Sequence, residues 1–138
     1  MADELILIVE DNEKNLKLVR DLLQVKGYRT LEAGTGELGV DLARRHTPHL
    51  ILMDIQLPGM DGVAALGQLK ADPTTASIPV IALTAFAMHD DRQRFLAAGF
   101  DGYLVKPMNI RELPAVVREF CERHRPHPAS PSPGKGEV

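Results

Sequence analysis

The chain is short of several things, and each shortage excludes a class of protein. It has one cysteine, Cys121, so neither a disulfide framework nor a cysteine-rich zinc cluster is available. Cys121 itself reads as a half-buried helix residue. Positive charge is not in excess: 16 Lys and Arg stand against 19 Asp and Glu, a net −3. That argues against non-specific binding to nucleic acid or to an anionic membrane. No helix-turn-helix pattern or basic patch is present to read DNA. No apolar run approaches the roughly 18 residues of a membrane span, so no membrane insertion is expected. The opening MADELILIVEDN lacks the basic segment and long apolar stretch of a signal peptide. The expected compartment is the cytoplasm.

What is present is an ordinary globular composition. Of the 138 residues, 44% are apolar and 25% charged, enough for one domain with a proper core. Short apolar runs alternate with helical patterns. Leu5 to Val9 reads as a buried strand. Asn12 can cap a helix in which Leu16, Val19, Leu22 and Leu23 share a face and which Gly27 ends. Tyr28 to Ala33 is a second strand, followed by a helix with Leu38, Leu42 and Ala43 on one face. Leu50 to Met53 and Pro79 to Leu83 are further strands, separated by a helix from Gly62 to Leu69 that Asp72-Pro73 stops. A helix from Met88 to Ala98 ends at Gly99, and Gly102 to Val105 is a fifth strand. Asn109 and Glu112 stand at capping-box spacing before a last helix carrying Ile110, Leu113, Val116, Val117 and Phe120. Pro114 predicts an irregular first turn there. Five strand–helix repeats mean a five-stranded parallel sheet, doubly wound, with helices on both faces. Residues 1–123 form this domain. The Pro- and Ser-rich stretch from His124 to Val138 reads as a disordered tail with no output domain after it.

In such a sheet, ligands bind at the carboxyl ends of the strands. The first strand ends in Glu10-Asp11, the third in Asp54, the fourth in Thr84-Ala85 and the fifth in Lys106-Pro107. Three carboxylates, a hydroxyl and an ammonium therefore converge on one edge. Clustered carboxylates repel unless a cation joins them. Oxygen ligands suit Mg²⁺, which keeps waters and takes one or two carboxylates plus a phosphate. A metal and a lysine around one carboxylate favour its attack on phosphorus, giving an aspartyl phosphate.

These residues, with Ile55-Gln56-Leu57-Pro58-Gly59 after Asp54, resemble the receiver domain of two-component response regulators, a fold of the flavodoxin and CheY type. The likeness spans about residues 4 to 123. The wording VEDN, LILMDIQLPGMDG and LTAFAM is most similar to DivK-like single-domain regulators and to receivers appended to hybrid kinases. The resemblance implies that Asp54 accepts a phosphoryl group from a phosphohistidine on a histidine kinase or phosphotransferase. It implies that Asp11 and Asp54 hold Mg²⁺ with the backbone carbonyl of Gln56, and Glu10 through a water. Thr84 would donate to the phosphate and Lys106 pair with it across a cis Lys106-Pro107 bond. Tyr103 would swing inward with Thr84 as a switch. Such a protein is a stoichiometric phosphoacceptor that promotes its own phosphorylation and dephosphorylation. It signals by phosphorylation-dependent binding to a downstream protein, in cell-cycle or developmental control. The apolar Phe86-Ala87-Met88 beside the site is the expected partner surface.

Rival readings meet specific obstacles. A Mg²⁺-dependent phosphohydrolase of the haloacid-dehalogenase type needs a second Asp two residues after the nucleophile, where Gln56 stands. A constitutive adaptor would have no use for the acidic cluster, Thr84 and Lys106. Gly34-Thr35-Gly36-Glu37-Leu38-Gly39 fits the dinucleotide fingerprint G-x-G-x-x-G, but it follows the second strand rather than the first. It reads as a glycine-rich turn into a helix. The five histidines, His46, His49, His89, His124 and His127, lack paired metal spacing and read as surface residues.

Overall fold

The computed structural model describes residues 4–85, 89–106 and 111–123. Five strands and five helices alternate: β1 (Leu5–Val9), α1 (Glu13–Val25), β2 (Arg29–Ala33), α2 (Gly36–His46), β3 (Leu50–Asp54), α3 (Gly62–Ala71), β4 (Val80–Thr84), α4 (His89–Ala98), β5 (Gly102–Val105) and α5 (Glu112–Arg123). The strands form one parallel sheet in the order β2-β1-β3-β4-β5. This is the doubly wound fold expected from the alternation. The order reverses between β1 and β3, and the crevice of such a sheet opens there, beyond the carboxyl ends of those strands.

The central strands are apolar throughout because both of their faces are covered. Ile6, Ile8, Leu50, Leu52, Ile81 and Leu83 face Val19 and Leu23 of α1 and Leu113, Val117 and Phe120 of α5. The alternate residues Leu7, Val9, Ile51, Met53, Val80 and Ala82 face Val40 and Ala43 of α2, Leu66 and Leu69 of α3, and Phe95.

Helix ends follow the local chemistry. The Asn12 side chain accepts from the N–H groups of Lys14 and Asn15, and Asp61 caps α3 through Ala64. Gly27 and Gly99, both with positive φ, close α1 and α4. Tyr28 falls outside β2: its N–H bonds the Leu23 carbonyl in that helix-ending turn, and its ring is buried under α1 and α5. Pro79 lies outside β4 but supplies a carbonyl to Ile51. Pro114 stands in the first turn of α5, where no intrahelical donor is required, so the helix continues regularly through it. In α2, Leu38 is exposed and Gly39, Val40 and Ala43 are buried. The buried stripe is turned from the expected one because Gly39 lets α2 press against Val9. Cys121 is fully buried rather than half-buried. His46 and His49 are exposed. Pro107, Asn109, Ile110, the Phe86-Ala87-Met88 surface and the tail lie outside the described residues. Among the described residues, no helix is long and apolar enough to cross a membrane.

Candidate metal and phosphoryl site

The site grows out of strand register. Val9 pairs with Met53, so the next residues, Glu10 and Asp54, emerge side by side at the switch point. The Glu10 N–H is spent on the Ala33 carbonyl and the Ile55 N–H on Leu83, which anchors both acidic segments to neighbouring strands. Asp11 is the first residue past this ladder and is exposed. Carboxylate oxygens of Glu10, Asp11 and Asp54 all lie within 4.8 Å of one another.

Lys106 enters from β5. Its N–H bonds the Thr84 carbonyl at 2.7 Å, which holds the ends of β4 and β5 together and aims the side chain inward. The Lys106 Nζ donates to Asp54 Oδ2 at 2.9 Å and lies 2.9 Å from Glu10 Oε1. The ammonium thus bridges two carboxylates that are almost wholly buried, Glu10 at 1% and Asp54 at 3% exposure. The other Asp54 oxygen, Oδ1, accepts from the Gln56 N–H at 2.9 Å. Glu10 Oε2 accepts from the Asn12 N–H at 3.2 Å. Both oxygens of Asp54 are therefore fixed in direction.

Charge is not balanced. Three carboxylates face one ammonium, two negative charges in excess when all are ionised. Burial first, and then the neighbouring Asp54, push the Glu10 carboxyl up to about 7, although Lys106 and the Asn12 N–H pull it back. For Lys106 the two influences trade places. Burial would lower its pKa, but bonds to Asp54 and Glu10 raise it on balance. It stays charged.

This donor set fits a divalent cation. It is made of hard oxygens, carries excess negative charge, and opens to solvent at Asp11, as an ion that keeps waters requires. Glu10 Oε1 is buried with the Lys106 ammonium at 2.9 Å as its charged neighbour, so the buried carboxylate pair shares one positive charge, and a second cation beside it would be electrostatically favoured.

The structure brings Glu10, Asp11, Asp54 and Lys106 into direct proximity. Thr84 is buried at the end of β4, one residue beyond Leu83, the register partner of Asp54. Gln56 is exposed just past Asp54. Tyr103 is half-buried against the α2–α3 side of the core, not free on the surface. Gly62 does more than open a helix. A Cβ there would run into the Asp54 carbonyl oxygen and come within 2.9 Å of the Ile55 Cα, so only glycine lets α3 start directly beneath the Asp54 peptide. The Asp61-Gly62 pair reads in sequence only as a helix start. The apparent dinucleotide fingerprint has packing roles: Thr35 caps α2 through Leu38, and Gly39 packs on Val9.

Fold and site together define a doubly wound α/β protein with a cation-ready acidic cleft around one strand-end carboxylate. The sequence model of the response regulator receiver domain matches residues 6–118, and the chain belongs to that family. Over 115 residues it is 44% identical to the polar-differentiation response regulator DivK of Brucella ovis, covering 83% of this chain and 94% of that one. The receiver domain of a sensor histidine kinase from Pseudomonas aeruginosa, solved with magnesium in its active-site cleft, is 36% identical. It superimposes with a TM-score of 0.81, covering 88% of this chain and 99% of that one. The receiver of a histidine kinase from Syntrophus aciditrophicus is 31% identical with a TM-score of 0.81, covering 92% and 96%.

Proposed function

We propose that this chain is a DivK-like single-domain response regulator that takes a phosphoryl group on Asp54 and signals by changing its affinity for another protein. The observation that carries this is the double restraint of Asp54, with Oδ1 on the Gln56 N–H and Oδ2 on the Lys106 ammonium, at the edge of an acidic cation site. Pre-oriented nucleophile and pre-placed charge are what phosphoryl transfer draws on.

In this reading a carboxylate oxygen of Asp54 attacks the phosphorus of a phosphohistidine on a histidine kinase or phosphotransferase. The P–N bond breaks, its electron pair leaves on the imidazole nitrogen, and that nitrogen takes a proton. Asp11, Asp54 and the Gln56 carbonyl would hold Mg²⁺, with Glu10 acting through a water. The ion, when bound, supplies positive charge to the phosphoryl oxygens. Lys106 lets go of Glu10 and pairs with the phosphate, and the Thr84 hydroxyl donates to it. Tyr103 follows Thr84 inward, which changes the surface a downstream partner meets. The site promotes both gain and loss of its own phosphate. The protein is cytoplasmic, and its relatives' role in polar differentiation suggests control of cell division or development.

The test is intact mass after incubation with Mg²⁺ and acetyl phosphate. The expected result is one added phosphoryl group on the wild type, absent in Asp54→Asn and absent without Mg²⁺. An adduct that persists in Asp54→Asn moves the acceptor elsewhere. Steady hydrolysis of unrelated phosphoesters would instead make the protein a phosphatase.

A further inference from the structure

The glycine-rich turn before α2 has no ligand to bind in the function described above, yet its packing leads to the Asp54 loop. A Cβ on Gly36 would stand 2.8 Å from the carbonyl oxygen of Met60 and 3.4 Å from the Met60 Cβ and Cγ. Met60 belongs to the loop from Ile55 to Asp61, which returns to itself through the Gly62 N–H on the Ile55 carbonyl at 3.0 Å. At the far end of that loop, Gly62 sits against the Asp54–Ile55 peptide. The first turn of α2 thus packs on Met60, and two residues further on Gly62 packs on the Asp54 peptide, so the chain itself links the two contacts. The first of these contacts is to backbone, which cannot rotate away as a side-chain tip can. Gly34, in the same turn, has nothing within 4 Å of a Cβ.

We infer that Gly36 is a positioning residue for the phosphoryl site. It lets the Ile55–Asp61 loop seat against α2, and this seating sets where the Gln56 peptide stands over Asp54. The Gln56 N–H holds Asp54 Oδ1, and the inference rests on the proposed role of the Gln56 carbonyl toward Mg²⁺. A methyl at Gly36 lifts Met60 and, with it, the peptide that serves both groups. The Gly62 N–H bond to the Ile55 carbonyl closes the loop on itself, so a shift of Met60 is passed along the loop to its Asp54 end.

The experiment measures Mg²⁺ affinity by calorimetry, and phosphoryl uptake from acetyl phosphate at several Mg²⁺ concentrations. It uses wild type, Gly36→Ala, Gly34→Ala and Gly39→Ala, each at a temperature where it is fully folded. Gly36→Ala is expected to weaken Mg²⁺ binding at least tenfold and to need correspondingly more Mg²⁺ for half-maximal uptake. Gly34→Ala is expected to match wild type. Gly39→Ala, whose Cβ meets the Val9 side chain at 2.8 Å, serves as a destabilised control. It is expected to lose stability and to recover it with Val9→Ala, which shows that added Cβ clashes in α2 are read correctly from the packing. Should Gly36→Ala not fold, Met60→Gly keeps the carbonyl but removes the Cβ and Cγ that lie against Gly36, which loosens the seat of the loop on α2 and is expected to lower affinity. Wild-type Mg²⁺ affinity in a folded Gly36→Ala, or failing that in Met60→Gly, would overturn the inference. Wild-type protein that binds Mg²⁺ but takes no phosphoryl group would overturn the functional reading instead, leaving the affinity comparison intact.

Discussion

At the scale of single residues, the described residues carry one conspicuous backbone strain outside the site. Thr47 ends α2 with φ 41° and ψ 65°, a left-handed conformation that a β-branched residue adopts at a cost of about 1–2 kcal/mol. Its neighbour is Pro48, whose ring narrows the choices further. The exposed side chain can be changed without touching the core. Thr47→Asn is therefore expected to raise unfolding free energy by about 0.5–1 kcal/mol, read as a higher urea midpoint with unchanged slope. The same scale explains why Gly36, Gly39 and Gly62 could not be interpreted in advance. A glycine in sequence shows permission to approach, not what approaches.

At the scale of elements, the central strands β1, β3 and β4 are over-determined, and α4 is not. Of the α4 positions from Gln93 to Ala98, Phe95 alone is buried; it is 2% exposed. Its ring meets Phe100 edge-on at 6.2 Å and has the Arg94 guanidinium 5.6 Å above it. Over these described positions one aromatic carries the burial, and sparse burial of this kind marks the low-stability end of a protein, a fitting property for an element beside Thr84 and Tyr103. Phe95→Ala is expected to cost about 3–5 kcal/mol in global stability. In native-state hydrogen exchange, amides of α4 are expected to lose protection first, ahead of β1, β3 and β4. Equal loss across the whole sheet would show that α4 is no separate unit. Where the sequence shows a strong stripe, as in α1 and α5, the expected face is the buried one. Where small residues decide the contact, as at Gly39 in α2, the expected face is off by a residue, because absence of bulk leaves no hydrophobic signal.

At the scale of the whole molecule, the acidic edge sets a balance between fold and function. Glu10, Asp11 and Asp54 crowd around a single lysine, so the metal-free protein carries electrostatic strain at its switch point. A cation that binds only the folded chain relieves this, and stability rises with its concentration by mass action. At pH 8, adding Mg²⁺ well above its dissociation constant is expected to raise the melting temperature, and a chelator to reverse the rise. Glu10→Gln is expected to stabilise the metal-free protein by on the order of 1 kcal/mol, a central value for relieving one buried polar group, while shrinking the Mg²⁺-dependent increment. Melting curves of both proteins with and without Mg²⁺ check the sign of each effect. A Glu10→Gln protein less stable than wild type without metal would mean that the Lys106 bridge outweighs the repulsion.

The sequence by itself determined the alternation of elements, the parallel sheet and the set of chemical groups at its carboxyl edge. Those follow from hydrophobic period and from the residues that end each strand, which are local properties. It also determined that Asp54 stands at the end of an apolar strand. Only the tertiary structure decided which groups touch. Register brings Glu10 beside Asp54, and Lys106, from a strand fifty residues on, bridges the pair rather than waiting in solvent. The packing of α2 against the Asp54 loop was likewise decided in three dimensions. The physical reason is range. A strand's period and a helix cap are read within a few residues, whereas charge balance and close packing depend on neighbours that the chain supplies from far away.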